Sequence, residues 1–187
     1  MMRFTKLEKQ QPEESEKFVG SDIEIINYKE WDIINGKDKM VILPYLKDEG
    51  YVLLRYENIP TFQYKYKEVE GYRNVNNFIT VIKGDINEEN TLQAVRRILH
   101  EETGIVLNAN YPITVDKNLF KDEKNLGQYY ICLLELNYND FRQGPSPKPQ
   151  DDVNQIVKIS LGDVDELKTF DLITDYMILR LKYEYKL

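Results

Sequence analysis

Cysteine, histidine and tryptophan each occur once in the 187 residues. With Cys132 alone, no disulfide can close within the chain, and a reducing, cytoplasmic setting is the expectation. With His100 as the single histidine, a His-rich metal site is excluded and a Ser-His-Asp triad has one residue to draw on. No apolar run approaches the length of a membrane span, so no membrane partner is expected. Met1 to Lys17 is polar, without the apolar stretch of a secretory signal. Positive charge is also in deficit. Lys and Arg number 25 against 32 Asp and Glu, a net charge of −7. Phosphate neutralisation needs the opposite balance, so nucleic acid is not the expected partner.

What remains suits a globular domain. Apolar residues make up 42% and aromatics 12%, enough for a core, and the length suggests one domain. Fourteen tyrosines carry much of the aromatic area. Residues 1–20 read as a polar arm, with Pro12 and Glu13-Glu14-Ser15-Glu16, and 21–187 as a single domain. Short apolar segments, Ile23–Ile26 and Trp31–Ile34, lie near the turn signal Asn35-Gly36-Lys37-Asp38. Met40–Leu46 and Tyr51–Tyr56 flank Lys47-Asp48-Glu49-Gly50, a hairpin pattern. Phe78–Ile82, Tyr129–Leu136 and Ile156–Leu161 read as strands, with Cys132 buried in the second of these. The run Gly144-Pro145-Ser146-Pro147-Lys148-Pro149 can only be a loop.

Two helices are expected. Thr91–Thr103 places Leu92, Val95 and Leu99 at i, i+3 and i+7, and Gly104 stops it. Asp171–Tyr185 places Leu172, Tyr176, Leu179 and Tyr183 on one side. Strands around a central helix, closed by a terminal helix, indicate an α/β (α+β) sandwich.

The chemistry concentrates in Arg97-Ile98-Leu99-His100-Glu101-Glu102-Thr103-Gly104-Ile105. At 100° per residue, positions 98, 101 and 102 share one flank of the helix, beside the apolar face. Adjacent carboxylates there repel unless a cation or an arginine compensates. A hard divalent ion is a natural partner, and a solvated surface pair is the plain alternative.

The same stretch resembles the Nudix box, G-x5-E-x7-R-E-U-x-E-E-x-G-U with U aliphatic. Glu89 stands at its first Glu, Arg97 at its Arg, Leu99 at U, Glu101-Glu102 at the EE pair, and Gly104-Ile105 at its end. Two positions depart. Lys83 stands at the initial Gly, with Gly84 one residue late, and Ile98 stands where the box has Glu. The resemblance covers roughly residues 22–185. It implies an α/β/α sandwich with a mixed central sheet and flanking helices. The hairpin resembles that of the ADP-ribose pyrophosphatase branch. That branch's Arg near Asn58 is missing, and Ile79–Lys83 replaces its Glu-Leu-Pro-Ala-Gly run.

The implied activity is hydrolysis of a nucleoside diphosphate linked to another moiety, with Mg2+ or Mn2+ and a water attacking phosphorus. Glu89, Glu101 and Glu102 are the implied metal ligands, with Glu101 and Glu102 also catalytic. Asp151 and Asp152, after the Pro-rich loop, are the implied base or replacement ligand, or else a solvated turn. Gly84, Arg97 and Gly104 are structural in this scheme, Arg97 holding Glu89. Arg55 and Tyr72 are candidates for substrate contact, with Tyr64 and Tyr66 either joining them or lining an edge strand. Arg96 and His100 are expected at the surface. The partner is a nucleotide-derived small molecule, and a homodimer is a state often seen in that branch. The alternative is a degenerate Nudix domain that binds a nucleotide or a protein without turnover. An interaction module built on the tyrosine-rich residues 61–73 is a third reading.

Overall fold

A computed structural model describes residues 17–19, 24–28, 31–58, 77–120, 128–145, 155–167 and 171–185. Three antiparallel strands lead the chain: β1 (Lys17–Val19), β2 (Glu24–Tyr28) and β3 (Trp31–Asn35). β1 falls at the end of the stretch read as an arm. β2 and β3 pair with each other, Tyr28 opposite Trp31, so the turn signal at 35–38 instead leads into the next strand.

That strand, β4 (Lys39–Leu46), forms the expected hairpin with β5 (Tyr51–Asn58). Gly50 closes the turn at φ +71°, its N–H donating to the Leu46 carbonyl at 2.9 Å. Pairing between the two strands holds only near the turn, at Tyr45 with Val52 and Leu46 with Tyr51. Farther on they part, and one stretch of chain fills the fork. β6 (Asn77–Thr80) pairs with β5, and β7 (Ile82–Asp85) pairs with β4. The single strand expected over Phe78–Ile82 is therefore two, changing partner at Val81. The buried Val81 N–H leaves the ladder and is taken by Thr174 Oγ1 at 3.0 Å.

Helix α1 (Thr91–Thr103) follows. Asn90 and Gln93 form a capping box, each side chain accepting the other's backbone N–H. Gly104 ends the helix at φ +75°, a conformation that favours glycine. A Cβ at Gly104 would also run into the Gly144 carbonyl, so the position requires glycine twice over. Beyond lie β8 (Ile105–Leu107), β9 (Asp116–Phe120), β10 (Tyr129–Glu135), β11 (Phe141–Gln143), β12 (Gln155–Ser160) and helix α2 (Leu172–Tyr185). The main sheet runs β12-β5-β4-β10-β9, with β10 parallel to β4 and the other neighbours antiparallel. β8 and β11 pair separately.

Both faces of this sheet are covered, as its β4 residues record. Met40 and Ile42 join the cluster under α1, while Val41, Leu43 and Tyr45 join the cluster under α2. This is the expected α/β/α sandwich with a mixed sheet.

Two helix faces differ from expectation. α1 buries Ala94, Val95, Ile98, Leu99 and Glu102, while Leu92 is 47% exposed. Leu92 lies roughly 90° around the helix from the centre of that stripe, which moves it to the rim. α2 buries Thr174, Met177, Ile178 and Leu181, and leaves Leu172, Leu179 and Tyr183 exposed. Apolar residues at helical spacing occur on both sides of α2, and the sheet covers the other side. No helix among the described residues is long and apolar enough to cross a membrane.

Candidate functional site

The site is assembled where the β4–β5 fork meets α1. Arg97 is its structural hub. Its Nε donates to Glu89 at 2.9 and 3.1 Å and its Nη2 to the same carboxylate at 2.5 Å. Nη2 also reaches the Asp85 carbonyl at 2.7 Å, and Nη1 the Glu101 carboxylate at 2.9 Å. One guanidinium thus binds the end of β7, the following loop and the helix together. The hydrogen bonds from Arg97 hold the Glu89 carboxyl below its usual range, against the opposing effect of burial.

Glu102 is placed differently. It is 5% exposed and accepts from Arg55 Nη1, an ion pair between α1 and the middle of β5. Arg55 is held between two neighbours, with Ile156 of β12 opposite it on one side and Thr80 of β6 on the other. The candidate substrate arginine therefore meets a candidate catalytic carboxylate.

Ile98, one turn before Glu102, is 1% exposed. It packs on Gly84 of β7, where a Cβ would lie 2.7 Å from Ile98 Cγ1 and 2.8 Å from Cδ1. Gly84 thus gives Ile98 its room, and the position of glycine one residue late has a packing cause. Lys83, at the box's glycine position, pairs with Asp171, whose carboxyl Lys83 and Thr174 hold low even though burial acts to raise it.

Other side chains settle around this frame. Arg96, expected at the surface, is partly buried and donates to the carbonyls of Leu107, Asn108, Ala109 and Tyr111 at 2.9–3.3 Å. Its long side chain reaches the loop after β8, a contact that helix position alone does not reveal. His100 is exposed. Cys132 is fully buried, and burial pushes its thiol up to about 12, so it is no nucleophile. Tyr64, Tyr66, Tyr72, Asp151 and Asp152 lie outside the described residues.

Two residues back along β5 from Arg55, and on the same face, Leu53 lines an open pocket of about 200 Å3. Tyr51, Tyr138, Phe141, Gln143 and Lys158 help to line it. Tyr51 and Tyr138 share a 2.6 Å hydroxyl hydrogen bond, and the Lys158 ammonium sits 4.9 Å from the Tyr51 ring centre. The space suits a single ring, since whole-ligand pockets start near ~300 Å3. Sequence reasoning missed these residues. They come from β5, β11, β12 and a turn, and only strand register brings them together.

No known family profile matches this chain, and no curated protein sequence matches it. Solved structures do. A structure from work on MutT of Aliivibrio salmonicida and Vibrio cholerae aligns with a TM-score of 0.54 at 14% identity, over 79% of this chain and 97% of its own. A structure of an ADP compounds hydrolase aligns with a TM-score of 0.59 at 17% identity, over 97% and 96% of the two chains. The fold is Nudix-like.

A Nudix-like fold and the implied chemistry raise the question of a divalent ion. Such an ion wants several oxygen ligands at once. Among the described residues, no three of His, Cys, Asp and Glu are grouped to hold a metal. Glu89 and Glu101 bond to Arg97, Glu102 bonds to Arg55, and Ile98 places carbon where the Nudix box has a carboxylate. The described residues, as arranged, do not fit the ion.

Proposed function

We propose that this chain binds a nucleoside diphosphate joined to a second group and does not turn it over as a Nudix hydrolase would. The observation that carries this reading is Ile98. It is buried on Gly84 at the box position where hydrolysis wants a carboxylate, so the helix face there is apolar and sealed. The Nudix-like fold supports the ligand class, as does the name of the ADP compounds hydrolase it resembles. The pocket beside Leu53 offers aromatic walls for one ring of the ligand, with the Lys158 ammonium at its edge.

A second reading keeps the activity. In it the chain is an Mg2+- or Mn2+-dependent pyrophosphohydrolase using Glu89, Glu101 and Glu102, with Asp151 or Asp152 as base. The observation in its favour is the retained spacing from Glu89 through Arg97 to Glu101-Glu102 and Gly104.

One set of measurements separates the two. The protein is incubated with Mg2+ and ADP-ribose, NADH, dinucleoside polyphosphates or nucleoside triphosphates, beside a Glu102→Gln control, and products are separated by chromatography. Binding of ADP-ribose is measured by calorimetry in a chelator. Binding without turnover is the expected result. Turnover by the unmodified chain well above the Glu102→Gln control would establish the second reading. Neither binding nor turnover of any compound would refute both.

A further inference from the structure

Glu102 presents a charge problem that the fold has solved in a particular way. A carboxylate this deeply buried needs a counter-charge, because burying an isolated ion is prohibitively costly. Its counter-charge comes from Arg55, 47 residues away in sequence, on a strand paired on both sides. Arg55 is itself largely buried, so this is no loose surface contact. One turn earlier on α1, Ile98 contributes carbon, and Gly84 is shaped to receive it. The guanidinium gives that carboxylate a counter-charge from within the protein. A divalent ion in the same place would want the further carboxylate that Ile98 has removed.

We propose that Arg55 occupies, at Glu102, the electrostatic place of a divalent cation, so that the folded site is complete without metal. Ile98 and Gly84 are the packing half of the same change. The inference deepens the binding reading given above and rests on it. It makes the guanidinium and the ion exchangeable: removing the first, and restoring the missing carboxylate, should let the second in.

The test uses Mn2+ alone, followed by its paramagnetic resonance signal, together with thermal melts in Mg2+ and in chelator. In the unmodified protein, Mn2+ stays free and the melting temperature ignores Mg2+. Arg55→Met melts lower, and Mg2+ restores part of the loss. Arg55→Met/Ile98→Glu takes up Mn2+, read as loss of the free-ion signal under conditions where the unmodified protein leaves it unchanged. The proposal is overturned if the unmodified protein binds Mn2+ as tightly as the double variant. It is overturned equally if Arg55→Met melts like the parent, or if the folded double variant takes up no ion. Should Arg55→Met fail to fold even in Mg2+, Arg55→Met/Glu102→Gln decides. That variant removes both charges, so folding without an ion supports the balance and failure to fold overturns it. No nucleotide enters these measurements, so failed ADP-ribose binding and failed cation exchange are separate results.

Discussion

Gly84 and Ile98 form a matched pair, and the match can be tested by reversing the sign of one substitution. In Gly84→Ala the new Cβ would meet three Ile98 carbons, Cγ1 at 2.7, Cδ1 at 2.8 and Cγ2 at 3.0 Å. Cδ1 could swing away. The two Cγ atoms cannot, because a β-branched side chain in a helix is held to essentially one χ1 rotamer, and Ile98 is buried. The overpacking should cost about 1–3 kcal/mol. Ile98→Ala alone should cost about 2–5 kcal/mol, the usual range for a core cavity. Once Ile98 is alanine, all three contacts vanish. Gly84 does not sit in the left-handed region, so alanine is then tolerated and restricts the unfolded chain, a gain of ~0.4–1 kcal/mol. Gly84→Ala should therefore destabilise the parent and stabilise the Ile98→Ala variant. The assay is urea unfolding of all four proteins, read as midpoints at constant slope. Ile98→Val should relieve little, since it removes Cδ1 and keeps both Cγ atoms. An equal cost of Gly84→Ala in both backgrounds would refute the account of Ile98 as seated on Gly84.

Two further outcomes follow from the arginines of α1. Arg96→Ala leaves four carbonyls between Leu107 and Tyr111 without their charged donor and, because water can reach two of them, should cost about 0.5–1.5 kcal/mol. Its mark in hydrogen exchange should be faster amides at 107–111, with β4 unchanged. The Glu89 carboxyl is held below its usual 4.5 by Arg97, so its contribution to stability is fully present above that value. The contribution drains away as pH falls from 4.5 through the lower folded value. Glu89→Gln should flatten that part of a plot of urea midpoint against pH, and an unchanged slope would contradict the ion pair.

The sequence carries the local structure well where chemistry and period coincide. Asn90, Gln93 and Gly104 mark both ends of α1, and Lys47–Gly50 marks the hairpin. Each acts through neighbours a few residues away, so the pattern is readable along the chain. Helix faces are less legible. α2 has apolar residues on both sides, and nothing local says that Met177, Ile178 and Leu181, rather than Leu172, Leu179 and Tyr183, will meet the sheet. The split at Val81 is equally hidden, because a strand changes partner only when two others have diverged.

By itself the sequence determined the type of architecture and the inventory of the site: a helix carrying Glu101-Glu102, an arginine for Glu89, and one carboxylate missing at Ile98. The first is a statement of spacing; the arginine's partner and the missing carboxylate are what the resemblance to the Nudix box implies. Tertiary structure decided what the inventory does. Arg55 lies 47 residues from Glu102 and reaches it only because α1 packs on the sheet that contains β5, and Gly84 receives Ile98 only because β7 lies in the fork. The sequence reading of the acidic pair required a cation or an arginine. Burial of Glu102 made the choice consequential, and the register of a central strand put the arginine there.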